Sequence, residues 1–496
     1  MYEKPIAPVG HQEPAATNTT LARKLGLWTT VSIVAGSVIG SAIFMKPAVM
    51  AGQLGSPLLL VAVWIAAGII SMIGASINAE VGAMMPVTGG QYVFFQKMYG
   101  NFFAYLYGWA AFAVINTASV ASIAFIFSQY TEYFIPLPRL SAAAETSWQI
   151  TIPFIGQIYP LQNIGVKLLS VFIILLLTYI NSRTVKGGGK LQLFFSAAKI
   201  AAILLMVAMI FFSGKGHTAN FIQSSTSIHL SGMALLAGII AATSGAFAAY
   251  DGWNNIGFVA GEIKQPGKNI PRGLFIGLGI CMLLYIATNQ AYLYILPVDT
   301  MAKSSLVATD ALAPVMGNKG AGLIALLVMI STFGCTNGNI LACSRVTFEM
   351  ARAGAFFSWA GKINSRHQTP ANALWLHAIW TSLFVFTGSF DMLTDTFVFV
   401  TWIFYGFGAY GIFILRRKMP ANERPYRVWG YPILPALFVL FTAFYFVMTL
   451  YADISNYLQG KIHFINSVFG LALTAMGIPL YMYLQYKRKK SKAATV

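Results

Sequence analysis

The stretch Gly36-Ser37-Val38-Ile39-Gly40-Ser41-Ala42 interrupts an apolar run that extends from about residue 28 to residue 51. Glycine costs a helix interior roughly 1 kcal/mol and serine side chains compete for backbone hydrogen bonds, so a helix is expected to break here. A second apolar run, near 231–262, is interrupted by Phe247-Ala248-Ala249-Tyr250-Asp251-Gly252-Trp253-Asn254-Asn255. At membrane depth, the N–H and C=O groups that a break exposes are tolerable only where they line a cavity or hold a ligand. A half-helix N-terminus offers free N–H groups and partial positive charge to a carboxylate. The carbonyls freed at the other half-helix ends suit an ammonium group. Paired breaks are therefore a receptor for an α-amino acid. Gly36 and Gly40 alone also fit close helix packing, but Asp251, Asn254 and Asn255 are not groups that face lipid.

Composition supports this setting. The chain has 496 residues, 57% hydrophobic and 9% charged, with mean hydropathy +0.68. A soluble domain averages roughly 25% charged residues, so a soluble enzyme, a disordered chain and a small disulfide scaffold are excluded. Apolar runs of membrane-spanning length recur near 28–51, 56–84, 101–134, 161–182, 187–213, 231–262, 271–297, 320–353, 370–389, 391–417, 431–454 and 463–486. The fold class expected is an all-α polytopic membrane protein with 12 transmembrane helices. Cys281, Cys335 and Cys343 lie inside these runs and imply no extracellular disulfides.

The basic residues set the direction. With both termini cytoplasmic, 24 of the 32 Lys and Arg fall on cytoplasmic segments and 5 outside, a distribution that assigns the formal charge of +18 to topology rather than nucleic-acid binding. Residues 1–27 read as a polar cytoplasmic tail without a cleavable leader, and 487–496 as a basic cytoplasmic tail. A cell-membrane location follows. Spans 1–5 (28–213) and 6–10 (231–417) have nearly equal lengths. Because five is odd, the second block enters from the opposite side, the arithmetic of an inverted repeat. Two further helices occupy 431–486.

Several motifs resemble the amino acid–polyamine–organocation superfamily, especially its L-type amino acid transporter branch in bacterial style. They are Gly36 through Phe44, Glu80 through Pro86 to Gly89-Gly90-Gln91-Tyr92, Tyr250 through Asn254, Gly261-Glu262 through Pro266 to Ile270-Pro271-Arg272, Asn337-Gly338 with Ser344-Arg345, and Arg424-Pro425-Tyr426 with Trp429-Gly430-Tyr431-Pro432. The resemblance implies a 5+5 inverted repeat with discontinuous helices 1 and 6. It places a substrate carboxylate on the N–H groups around Gly40, Ser41 and Ala42. The ammonium group falls to the carbonyl of Val38 and those near Phe247, Ala248 and Asp251, with Tyr250 and Asn254 in the same segment. The family usually has glycine at Ala42 and an aromatic gate at Ala248. The adjacent Phe247 would point about 100° away in a regular helix, which leaves its gating open.

Lys199 lies near mid-membrane, too deep to snorkel. The resemblance implies that its ammonium replaces a sodium ion against helix 1; a structural role and a proton carrier are the alternatives. Asp251 is either a counter-charge for a cationic substrate or held by local N–H groups. Glu80 and Glu262 are expected to pair with basic residues, Lys46 to reach the outer headgroups, Asn337 to line the cavity or pack between helices, and Trp109, Trp359 and Trp429 to anchor at the interface. The histidines form no metal-ligand pair and no Walker motif is present, so neither a metal, a cofactor nor ATP-driven transport is expected. The loop from Ile135 to Pro160 has no cysteine, so a disulfide-linked heavy subunit is not expected. The resulting expectation is a secondary transporter exchanging small or medium neutral amino acids without sodium. Proton symport, a cationic amino acid or polyamine carrier, and a channel or amino acid receptor are its rivals.

Overall fold

The computed structural model describes residues 23–86, 90–183, 188–419 and 424–493. The tail up to residue 22, Gly89 and Lys186 lie outside them. Helices dominate, in the order α1 (Leu27–Val38), α2 (Lys46–Leu54), α3 (Pro57–Met84), α4 (Gly90–Tyr99), α5 (Asn101–Ala110), α6 (Asn116–Thr131), α7 (Ala142–Ser147), α8 (Ile164–Arg183) and α9 (Gly188–Phe212). Then come α10 (Gly232–Tyr250), α11 (Pro266–Ile295), α12 (Val298–Ala302), α13 (Val307–Arg352), α14 (Ala371–Val385), α15 (Phe390–Lys418), α16 (Ile433–Leu458), α17 (Asn466–Ala475) and α18 (Gly477–Ala493). Among the described residues, nine helices are long and apolar enough to cross a membrane, and three shorter apolar helices accompany them.

Local chemistry explains the main boundaries. Pro57 stands in the first turn of α3, where its missing N–H is harmless, and Ser56 caps that turn by accepting from the Leu59 N–H at 3.4 Å. The expected single span of 320–353 begins earlier, because α13 extends back to Val307 across a kink where Gly317 adopts φ +67°. Between α5 and α6 the chain makes a π turn at Ala111–Ile115. Trp380 Nε1 donates to the Ala113 carbonyl at 2.9 Å and the Thr117 hydroxyl to that of Phe112 at 2.6 Å, satisfying acceptors that the wider turn frees. The loop before α8 carries a two-stranded antiparallel hairpin, β1 (Ile150–Ile152) and β2 (Gly156–Ile158), joined to the segment before α17 by Gln157 N–H donating to the His463 carbonyl at 2.8 Å. No signal for this hairpin was read from the sequence.

The breaks occur where the breaker residues stand. The chain leaves α1 at Ile39, turns through a 3₁₀ segment at Ala42–Phe44 and resumes helix at Lys46. It leaves α10 at Asp251 and continues in 3₁₀ turns through Trp253–Phe258 and Ala260–Glu262. Gly252 has φ +109°, and a Cβ there would lie 2.6 Å from the Ser37 carbonyl oxygen. Glycine is needed on both counts, and the contact presses the two breaks together. Gly40 is different: a Cβ would meet only the Val38 carbonyl at 3.7 Å, so Gly40 is no helix-packing glycine. The close packing of α1 rests on the neighbouring helix α11, whose Gly273 and Gly277 leave room for Thr30 and Val34.

Candidate functional site

Where the breaks meet, a small cavity opens, walled by Ser37–Val38 and Gly40–Ala42 of the first break and by Ala248, Asp251, Gly252 and Asn255 of the second. α6 adds Ser119 and Ser122, α13 adds Cys335 and Asn339, and α15 adds Phe390, Thr394 and Phe397. The N–H groups of Ser41 and Ala42 find no acceptor among the described residues, which leaves two backbone donors open on residues that line a polar hollow. The methyl of Ala42 narrows this end. The side-chain amides of Asn255 and Asn339 likewise make no hydrogen bond among the described residues. A second cavity of similar size lies on the other side of Asp251, Gly252 and Asn255, lined by Gln91, Tyr107, Asn116, Asn254 and Tyr405 among others. The break that follows α10 is the partition between them.

The carbonyls freed by the breaks are partly answered from within. The Tyr285 hydroxyl on α11 lies 2.9 Å from the Val38 oxygen and 3.0 Å from that of Ala249, tying the end of α1 to the end of α10. One O–H donates to one acceptor at a time, so one of the two stays open to another donor. Lys199, 3% exposed, donates to the Ile39 carbonyl at 3.2 Å and contacts Cys335 Sγ at 2.7 Å. The buried ammonium is thus seated on the break itself. Asp251 accepts from the Tyr405 hydroxyl at 2.6 Å, and no Lys or Arg pairs with it among the described residues.

The remaining expected residues divide. Ala248 faces the cavity. Phe247 does not: its ring stacks on Trp402 with centroids 3.6 Å apart, buried beside Phe441 and Tyr445, which is the turn of about 100° that helical spacing implies. Tyr250 also turns away, its ring between Trp64 and Tyr285 and close to Gly68 on α3. Asn254 sits in the second cavity, where its side-chain oxygen accepts from Asn78 at 3.1 Å and Gln91 at 2.7 Å. Asn337 is a helix-packing amide, accepting from Asn181 at 2.8 Å. Glu80 is fully buried and paired as expected, with Arg416 at 2.8 Å and Arg424 at 3.6 Å. Trp109 donates its indole N–H to the Leu473 carbonyl at 2.8 Å.

Lys46 corrects a second expectation. It does not reach toward headgroups: it is 1% exposed and forms ion pairs with Asp391 at 2.7 Å and Asp395 at 3.2 Å. Depth along a helix could not reveal this, because the carboxylates stand 345 and 349 residues further on. Sequence reasoning also passed over Ser119, Ser122, Tyr285 and Phe390. The first three are ordinary residues of apolar spans, distinguished only by a polar atom at membrane depth, and Phe390 falls between the expected spans 370–389 and 391–417.

A bundle of membrane-length helices enclosing a polar cavity between two broken ones is built to bind a small solute and let it pass; it is the architecture of a secondary carrier. The chain belongs to the amino acid permease family, whose model matches residues 25–473. It is similar to the large neutral amino acids transporter small subunit 2 of Mus musculus, 29% identical over 97% of this chain and 85% of that one. Similar too are the b(0,+)-type amino acid transporter 1 of Homo sapiens (30% identical; 87% of this chain, 83% of that one) and the serine/threonine exchanger SteT of Bacillus subtilis (strain 168), at 28% identity over 96% and 98%. Family and relatives are transporters, not enzymes.

Proposed function

We propose that this protein exchanges small or medium neutral L-amino acids across the cell membrane by alternating access, without sodium. The observation that carries the reading is that the N–H groups of Ser41 and Ala42 have no acceptor among the described residues and belong to residues that line a cavity shared with the broken end of α10. The substrate carboxylate docks on those N–H groups with Gly40 beside them. Its ammonium takes the carbonyls left at the ends of α1 and α10, those of Val38 and of the turn from Phe247 and Ala248 to Asp251. Tyr250 and Asn254 hold the broken segment rather than the substrate. Lys199 occupies the place of a coupling cation by holding the Ile39 carbonyl, which supports sodium independence. The polar side chains of Ser119, Ser122, Asn255, Thr394 and Asn339 favour small and hydroxylated side chains.

The transport cycle rests on a twelve-span topology in which spans 1–5 and 6–10 form an inverted repeat and both termini are cytoplasmic. The near-equal lengths of the two blocks, the break in the first helix of each and the distribution of basic residues support it. The absence of a cysteine between Ile135 and Pro160 supports a carrier that works without a disulfide-linked heavy subunit.

The test is efflux of a preloaded radiolabelled neutral amino acid mixture from proteoliposomes in sodium-free buffer. Efflux that accelerates on adding unlabelled amino acid outside is expected, with equal rates in sodium and choline. A saturable sodium requirement would sink the Lys199 assignment, and efflux driven by a pH gradient but blind to external amino acid would replace exchange by proton symport. Asp251, half-buried and without a Lys or Arg partner among the described residues, favours one second reading, a cationic substrate with Asp251 as counter-charge. Asp251→Asn separates the two, sparing neutral exchange and abolishing cationic transport.

A further inference from the structure

The position where the family carries an aromatic gate holds Ala248 here, and the ring beside it, Phe247, is committed to Trp402. The aromatic rings that line the cavity come instead from α15, Phe390 and Phe397. Phe390 is the first residue of α15 and 4% exposed. Behind it lies a charged cluster. The Lys46 ammonium stands 5.2 Å from the centre of the Phe390 ring while pairing with Asp391 and Asp395. Asp395 also accepts from the Ser244 hydroxyl of α10 at 3.0 Å, and the stem of Lys46 passes beside Gly245, where a Cβ would come within 3.3 Å of it.

From this arrangement we infer that Phe390 is the outer lid of the cavity and that Lys46, with Asp391 and Asp395, is its latch. The inference rests on the transport reading above, which places the N-terminal end of α15 outward. The latch joins the three segments that a path from that side must part: α2 just beyond the first break, α10 just before the second, and the start of α15. A buried ion pair adds little net stability over apolar packing, so a cluster at this position is better suited to a choice between two arrangements than to strength. It is also breakable. The side chains of Asp391 and Asp395 remain 42% and 32% exposed, so water can take over their bonds when Lys46 withdraws.

The experiment places a reporter thiol, Ser122→Cys, on the cavity wall of the full-length chain with Cys281, Cys335 and Cys343 replaced by Ser. The rate of labelling by a membrane-impermeant maleimide from outside is read in proteoliposomes. Phe390→Ala opens the lid directly. Lys46→Met with Asp391→Asn and Asp395→Asn removes the latch without leaving a buried charge unpaired, so folding survives even if Lys46→Met alone does not. Both are expected to label at least tenfold faster than the parent, and size exclusion in detergent confirms that the protein is intact. Labelling within twofold of the parent in both overturns the lid. Absence of amino acid exchange in the unmodified chain overturns the transport reading instead, and the two failures are read in separate assays.

Discussion

Replacing Lys199 by Met tests the link between the first break and the cation seated on it. The ammonium donates to the Ile39 carbonyl at 3.2 Å, between the Val38 carbonyl and the Gly40 to Ala42 segment that are assigned to the substrate backbone. A hydrogen bond to a charged group contributes about 1.5–3 kcal/mol, more than a neutral one because the charge is poorly screened in a buried site. Every 1.4 kcal/mol is about tenfold in an equilibrium constant. If the geometry of the break is what the ammonium maintains, Lys199→Met raises KM for exchange by about tenfold to a hundredfold. Met fills nearly the same volume, and removing a buried charge also removes its desolvation burden, so the protein is expected to fold. Lys199→Arg keeps the charge with a bulkier head and should fall between. The assay is counterflow in sodium-free proteoliposomes at matched protein density, with thermal unfolding in detergent to confirm integrity. A Met variant with the parent's KM and kcat would refute the reasoning, because the break would then hold its shape unaided.

Three further outcomes follow from the structure. Glu80→Gln breaks a buried cluster in which Glu80 accepts from Arg416 and from the Val428 N–H and pairs with Arg424; a loss of about 3–5 kcal/mol is expected, read by chemical or thermal unfolding in detergent. Ala248→Phe puts a ring into the small cavity between the breaks and should shift competition profiles toward glycine, alanine and serine, while an unchanged profile would remove Ala248 from the site. Asp299, in the short helix before α13, accepts from the Ser225 hydroxyl, the Thr226 N–H and hydroxyl and the Ser227 hydroxyl, which hold its carboxyl down to about 2. Because its folded value lies below the ordinary 3.8, this tie is fully present above about pH 4 and is lost as pH falls toward 2. Pepsin cleavage of the 225–228 loop should therefore rise over that interval in the parent, whereas Asp299→Asn should be cut readily throughout it.

The same division between near and distant causes runs through the whole molecule. The membrane-length helices and the two breaks were legible in the sequence because each depends on a local property. Hydropathy sets which segments leave water, and glycine and serine set where a helix fails. Even the outward turn of Phe247 was implied by helical spacing, though its destination on Trp402, 155 positions further along, was not. What lay beyond reach was every pairing between distant segments. Lys46 looked free to reach headgroups until folding brought Asp391 and Asp395 from 345 and 349 residues away. Tyr285 read as one more residue of an apolar run until it bridged the carbonyls of Val38 and Ala249. The sequence by itself determined where two helices break, because glycine and serine fail as helix formers in place. The tertiary structure alone decided which side chains wall the gap between them, which rings line it and which charge stands beside them, because those depend on how helices pack across the bundle and not on any stretch of chain.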